Sequence, residues 1–237
     1  MGRLFGTDGV RGVANKDLTP ELAFRLGRAT AKVLVASGAG RMVVGRDTRV
    51  SGEMLEGALV AGITSAGVDV EILGVVPTPA VAFYTRRSGA GAGAMISASH
   101  NPVEDNGVKF FTAEGYKLNE EIEEEIEKIA LGEVEENPRP TGLDIGRVSA
   151  SQTAEEEYID YLAKTINVRF NGLKVVVDCA FGATYKTAPR LLSLLGAEVI
   201  PIHNENDGSR INVNCGSTHP EELCRQVLSH GAQVGLA

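Results

Sequence analysis

RMVVGRDTRVSGEMLEGALVAGITSAGVDVEIL, residues 41–73, decides the fold. Met42 to Val44 and Val68 to Leu73 are short runs rich in β-branched residues and bordered by glycine, the pattern of buried strands. Between them Ser51 precedes Leu55, Leu59, Ile63 and Ala66 at helical spacing, and Gly67 closes the run. Strand, helix, strand is the order of a crossover between parallel strands. The order recurs downstream: LKVVVDCAFGA (173–183), TYKTAPRLLSLLG (184–196) and AEVIPI (197–202). Pro189 is expected to kink or shorten that second crossover helix.

Other elements join these two units. Thr19 and Pro20 are a cap and a first helical position, leading an apolar stripe of Leu22, Leu26, Ala29 and Val33 that ends at Gly38. The acidic run Glu120 to Glu136 is patterned around Ile122, Ile126 and Ile129, a helix with one buried face. Thr153 with Glu156 has the spacing of a capping box before Tyr158 and Leu162. The stretch Leu131 to Gln152 has prolines, glycines and little periodicity, and it reads as a join. The expectation is an α/β chain of two consecutive domains, residues 1–140 and 150–237. Each is a mixed, mainly parallel sheet with helices on both faces. HPEELCRQVLSHG reads as a helix and AQVGLA as the start of a strand, where a doubly wound domain does not normally end. The second domain is therefore expected to be truncated.

Composition narrows the function. Hydrophobic residues make up 43% and charged residues 23% of the 237 residues, the balance of a soluble globular protein. The formal charge of -8 disfavours a nucleic-acid partner, which needs a concentrated basic surface. No apolar run approaches a membrane span, and MGRLFGTDGVRG lacks a secretory apolar stretch, so neither a membrane partner nor export is expected and the cytoplasm is the expected location. Cys179, Cys215 and Cys224 form no CxxC and no even set for a disulfide framework. Cys215, His219, Cys224 and His230 have a superficial zinc pattern, but residues six apart on one helix point to different faces.

The chemistry concentrates in MISASHNPVEDNGVKFF, residues 95–111. AGAGAMI (90–96) just before it lacks the spacing of a dinucleotide fingerprint, and its glycines precede a strand instead of opening a helix. No GxxxxGK[ST] loop and no GxSxG elbow occurs. The strand is expected to run through Ser97, Pro102 to stop it, and Asp105-Asn106-Gly107 to turn the chain into VKFF. Ser99 then lies at the C-terminal end of a strand, where open parallel sheets gather ligands. Adjacent Ser99 and His100 do not make a hydrolase pair, because sequence neighbours point apart. A serine that carries phosphate is an alternative, with Lys109, Arg11, Arg46 and Arg49 as cations. An ordinary polar turn is the other, with Asp8-Gly9 a turn and Asp47 a plain arginine partner.

FGTDGVRG (5–12), GRDTRVSGEML (45–55), GVVPTPAV (74–81), ISASHNPVEDNGVKFF (96–111) and INVNCGSTHPEEL (211–223), in that order, resemble the α-D-phosphohexomutase superfamily. NKDLTPELAFRLGRA (15–29) and INVNCGSTHPEEL most resemble its bacterial members acting on glucosamine phosphates. The resemblance implies an isomerase that interconverts glucosamine 6-phosphate and glucosamine 1-phosphate through a phosphoserine and a bound bisphosphate. It identifies Ser99, not Ser97, as the phosphorylated residue, with His100 and Lys109 in proton transfer and phosphate contact and Arg11 holding the phosphoryl group. Thr7, Asn101 and Arg46 fall at substrate- or phosphate-binding positions. Mg²⁺ is the implied cofactor, bound to Ser99 through its phosphate, while the family's three aspartate ligands are expected beyond Ala237. The chain alone is therefore expected to lack turnover. The implied partners are a hexosamine phosphate and a second copy of the chain in a homodimer. A phosphomannomutase or phosphoglucomutase, or a non-catalytic module, are the competing readings.

Overall fold

The computed structural model describes residues 4–35, 40–134 and 139–237. Thr19 accepts a hydrogen bond from the Leu22 amide and Pro20 takes the first position, so α1 runs over Pro20–Thr30 and continues as a π-turn, Ala31–Val35. Gly38 lies outside the described residues. Before it comes β1 (Val10–Val13), and after it β2 (Arg41–Arg46), α2 (Gly52–Thr64), β3 (Asp69–Val75), α3 (Thr78–Ser88) and β4 (Ala92–Ile96). Then follow β5 (Asp105–Thr112), α4 (Glu120–Ala130), β6 (Val148–Ala150) and α5 (Ala154–Lys164). The remaining elements are β7 (Lys174–Asp178), α6 (Thr187–Leu194), β8 (Glu198–Ile202), α7 (Glu221–His230) and β9 (Val234–Leu236).

The first sheet has the order β1-β5-β4-β2-β3-β6. β2 pairs parallel with β3 and β4, while β5 runs antiparallel to both β4 and β1. Alternation along the strands divides the core. Met42 and Val44 pack with Leu26, Leu55, Ile63 and Ile126 on one face, and Val43 packs with Val81, Tyr84 and Tyr158 on the other. Helices therefore cover both faces. α1 and α2 cross closely through Gly27 and Gly62, where a β-carbon would run into the backbone carbonyl of the facing helix. The second sheet, β8-β7-β9, is parallel throughout.

Of four local expectations, three resolve differently and the one at Pro189 holds. Val148–Ala150, inside the expected join, is an edge strand paired parallel with β3. Thr153 makes no capping bond at α5; Ser151 Oγ accepts from the amides of Thr153 and Ala154 instead, at 3.4 and 3.2 Å. Pro189 stands in the first turn of α6, which is short as expected, running over Thr187–Leu194 within the 184–196 run. Asp105-Asn106-Gly107 is the opening of β5, paired with Val13, Gly12 and Arg11, so residues 97–104 make the turn. Turn-type residues are tolerated in the strand because Asn106 is buried with its amide donating to Ser51 Oγ at 2.9 Å.

Candidate active site

The loop after β4 is built around one arginine. Arg49 is fully buried, at 0% exposure, and spends all five of its N–H groups there. Nε donates to Asp47 Oδ2 at 3.1 Å. Nη1 donates to the carbonyls of Pro102 and Asp105 at 2.5 and 2.9 Å, and Nη2 to those of Ser99 and Asn101 at 2.9 Å each. The planar fork suits such convergent acceptors as a lysine could not. Asp47 also accepts from the Arg49 amide at 2.9 Å and from Ser97 Oγ at 2.7 Å. Burial raises the Asp47 carboxyl, against the pull of the Ser97 hydroxyl and of Arg49. Ser97 Oγ in turn accepts from the Ser99 amide at 3.0 Å. These bonds hold Ser99 at φ 57°, a left-handed conformation rare for a residue with a β-carbon.

Ser97 is thus occupied, whereas Ser99 is exposed and its hydroxyl faces a cavity of about 260 Å³. His100 lines the same cavity, with Nδ1 3.4 Å from Ser99 Oγ. Arg11 on β1 and Lys109 on β5 line it as well, together with Asp8 between them. Lys109 Nζ lies 2.9 Å from Asp8 Oδ1, and Arg11 Nη2 lies 3.6 Å from Asp8 Oδ2. The Lys109 hydrogen bond, helped by both positive charges, holds the Asp8 carboxyl below its ordinary range. Arg11 Nε is buried with no acceptor among the described residues. Two cations against one carboxylate leave the cavity positive, and an orphaned donor there calls for an acceptor such as a phosphate oxygen. Gly107 keeps the site open, because a β-carbon would press 2.8 Å from the Ser97 carbonyl and 2.9 Å from Arg11 Cγ. A larger groove of about 670 Å³ between α5 and α6 holds Glu156 paired with Arg190, and its Ser193 has no histidine or lysine beside it in the lining.

Ser99, His100, Lys109 and Arg11 are therefore brought together, and three further sequence-derived positions are not. Thr7 stands on the exposed turn between Gly6 and Gly9, outside the cavity lining. Asn101 donates its side-chain amide to Asp105 Oδ2 at 2.9 Å and serves the loop. Arg46 pairs with Glu53 and Glu56, at 2.9 and 3.4 Å, in a separate groove that reaches Asp207. Arg49, a candidate phosphate cation from sequence, is buried beneath the loop. Asp8 and Thr78 also line the cavity, within FGTDGVRG and GVVPTPAV, where a turn aspartate and a threonine before proline carry no local sign of a site.

A second loop abuts the first. Asp178, at the end of β7, accepts from Ala180 N and Gly216 N at 2.8 Å each, and its Oδ1 lies 3.0 Å from His203 Nδ1. Its oxygens lie with His203 and Cys215 Sγ within 4.8 Å of one another, a set able to ligate a metal. Each carboxylate oxygen already accepts a hydrogen bond, and burial beside Asp178 pushes the Cys215 thiol up to about 11, so the set fits a structural knot better than a metal. Burial likewise pushes Cys179 to about 12. The knot touches the serine loop. Thr48 Oγ1 donates to the Phe181 carbonyl at 2.5 Å, and Asn212 Nδ2 donates to the carbonyls of Ser99 and Asn101 at 3.0 and 3.2 Å.

Residues 2–137 match the family model for phosphoglucomutase/phosphomannomutase α/β/α domain I, and residues 156–237 match that for domain II. A curated phosphoglucosamine mutase of Desulforamulus reducens is 60% identical over the whole chain, and one of Carboxydothermus hydrogenoformans is 59% identical. In each case the match covers 54% of the relative, so the chain spans about half the length of the curated relatives it matches. Among solved structures, a phosphoglucomutase/phosphomannomutase family protein from Burkholderia thailandensis superposes with a TM-score of 0.83 at 28% identity, over 98% of this chain and 51% of that one. Parafusin of Paramecium, a phosphoglucomutase in its open form, gives a TM-score of 0.73 at 17% identity over 97% of this chain and 48% of that one, a likeness of fold alone.

Proposed function

The chain belongs to the phosphoglucomutase/phosphomannomutase family, and from that premise we propose that it carries the phosphoryl-accepting serine of a mutase interconverting glucosamine 6-phosphate and glucosamine 1-phosphate. The identity to relatives named phosphoglucosamine mutase over this whole chain supports that choice of sugar. The observation that carries the chemistry is an exposed Ser99 hydroxyl at a cavity whose cations, Lys109 and Arg11, stand on neighbouring strands.

In loading, a phosphoryl group passes from a sugar bisphosphate to Ser99. The bond from phosphorus to the sugar oxygen breaks and the bond to Ser99 Oγ forms. The Ser99 proton passes to His100 Nδ1, and the departing sugar oxygen takes up a proton from the Lys109 ammonium, which solvent restores. Arg11 and Lys109 neutralise the three phosphoryl oxygens while charge is spread over them. In the reverse direction the phosphoserine loads a hydroxyl of the monophosphate, and the bisphosphate so formed reorients before returning its other phosphoryl group. Asn101 shapes the loop in this scheme, and Arg46 and Thr7 take no part in the transfer.

The resemblance implies Mg²⁺, but the donors around Ser99 do not fit a resident ion by themselves. Mg²⁺ takes an octahedral set of oxygens anchored by carboxylates. Around Ser99 the cavity lining supplies one carboxylate, Asp8, already engaged by Lys109 and Arg11. Sustained turnover by this chain alone is not expected. No described helix is long and apolar enough to cross a membrane, and a water-soluble sugar phosphate suits a cytoplasmic enzyme.

The test is intact-mass measurement of the chain after incubation with glucosamine 1,6-bisphosphate in buffer containing Mg²⁺. One phosphoryl group on Ser99, absent from Ser99→Ala, is expected. No gain, or a phosphate mapped to Ser97, would overturn the reading. Parallel arms with glucose and mannose bisphosphates rank the sugars.

A further inference from the structure

Two carbonyls in the serine loop are each held twice. Arg49 Nη2 donates to the Ser99 and Asn101 carbonyls at 2.9 Å each, and Asn212 Nδ2 donates to the same pair at 3.0 and 3.2 Å. Arg49 belongs to the first sheet's own loops, whereas Asn212 comes from the segment between β8 and α7. Asn212 is itself fixed. Its φ is 60°, a conformation asparagine tolerates better than most residues, and its amide donates to the Ala180 carbonyl at 3.1 Å. Ala180 is held by Asp178. A continuous chain of short contacts therefore runs from the Asp178 knot to the Ser99 carbonyl.

That carbonyl matters because Ser99 is left-handed. A serine at φ 57° persists only where its surroundings over-determine it. Turning the peptide that follows Ser99 would swing the direction of its hydroxyl and move His100 with it. We infer that Asn212 is a positioning residue for Ser99, through which the second α/β unit sets the aim of the nucleophile in the first. The inference rests on the function proposed above for the identity of the reacting group. It assigns Asn212 no contact with sugar or phosphate.

Asn212→Gly is the informative variant, since glycine adopts φ 60° without strain and removes only the side-chain donor. Loading of Ser99 from glucosamine 1,6-bisphosphate is followed by intact mass in the whole chain. The maximal rate is expected to fall on the order of ten- to a hundredfold. The half-saturating bisphosphate concentration and the final stoichiometry should hold at wild-type values, because Arg11 and Lys109 are untouched. A misfolded fraction would lower the stoichiometry instead. Asn212→Asp, which turns a carboxylate toward two carbonyls, should be slower still. Wild-type loading rate in Asn212→Gly overturns the inference. If the wild-type chain itself takes no phosphate, the proposed function is what fails. Amide exchange over residues 97–104 then decides the clamp: faster exchange in Asn212→Gly sustains it, and unchanged exchange sinks it.

Discussion

The loops after β4 and after β7 occupy equivalent places, each at the C-terminal end of a central strand, yet they are tied around buried charges of opposite sign. Arg49 draws four carbonyls inward, while Asp178 draws in two amides and faces an imidazole nitrogen. The difference decides what each loop can meet. With its carbonyls turned toward a guanidinium, the serine loop shows little negative potential to an approaching phosphate. The Asp178 loop turns carbonyls outward, and those of Ala180 and Phe181 accept from Asn212 and Thr48. One loop presents a hydroxyl to an anion, and the other offers the Phe181 carbonyl to Thr48 of the first unit. Left-handed residues occur in both, so backbone strain alone does not mark a reactive loop.

The comparison breaks first at Arg49. Arg49→Met leaves four carbonyls and the Asp47 carboxylate buried without their cation, and should cost about 3–5 kcal/mol of stability. Urea unfolding reads this directly, and a loss below about 1 kcal/mol, the worth of an exposed pair, would mean the guanidinium is dispensable. Asp178→Asn should cost less, about 1–3 kcal/mol. An asparagine keeps one acceptor oxygen but must turn its NH₂ toward Ala180 N or Gly216 N, which now bind separate oxygens. Equal losses in the two variants would erase the asymmetry between the loops. The gentlest probe is alkylation with iodoacetamide near neutral pH, read by mass spectrometry. Cys224 is exposed, whereas Cys179 and Cys215 are buried with thiols pushed up to about 12 and about 11. A thiol reacts as thiolate, so the buried pair stays protonated until the pH approaches those values, and a single adduct on Cys224 is expected. Adducts on Cys215 near neutral pH would show that the Asp178 loop opens to solvent.

How much of this was legible beforehand follows from what each feature depends on. The two strand–helix–strand units were readable because periodicity and glycine borders are local, and β8 ends at Ile202 as the 197–202 run does. β6 was not, since three exposed residues in a proline- and glycine-rich stretch carry no alternation; only pairing with β3 makes them a strand. Asp105-Asn106-Gly107 has turn chemistry by every local rule, and tertiary contacts to Ser51 and β1 overrode it. Of the site, Ser99, His100, Lys109 and Arg11 could be named from the order of their motifs. The separate placements of Arg46 and Arg49 could not. Two arginines three residues apart look alike in sequence, and one of them is recruited by carbonyls about 50 residues away in the chain. Asn212 was hidden for the same reason, sitting within a quoted motif whose purpose appears only where two separate sheets touch.

The left-handed Ser99 also says something about selection. Glycine would sit at φ 57° without penalty, and asparagine nearly so. A lineage selected for thermal resistance alone would drift to one of those residues here. A serine in its place records a compromise, with stability given up at one backbone angle so that a hydroxyl can stand in solvent. Stabilising design on this scaffold should therefore begin anywhere else.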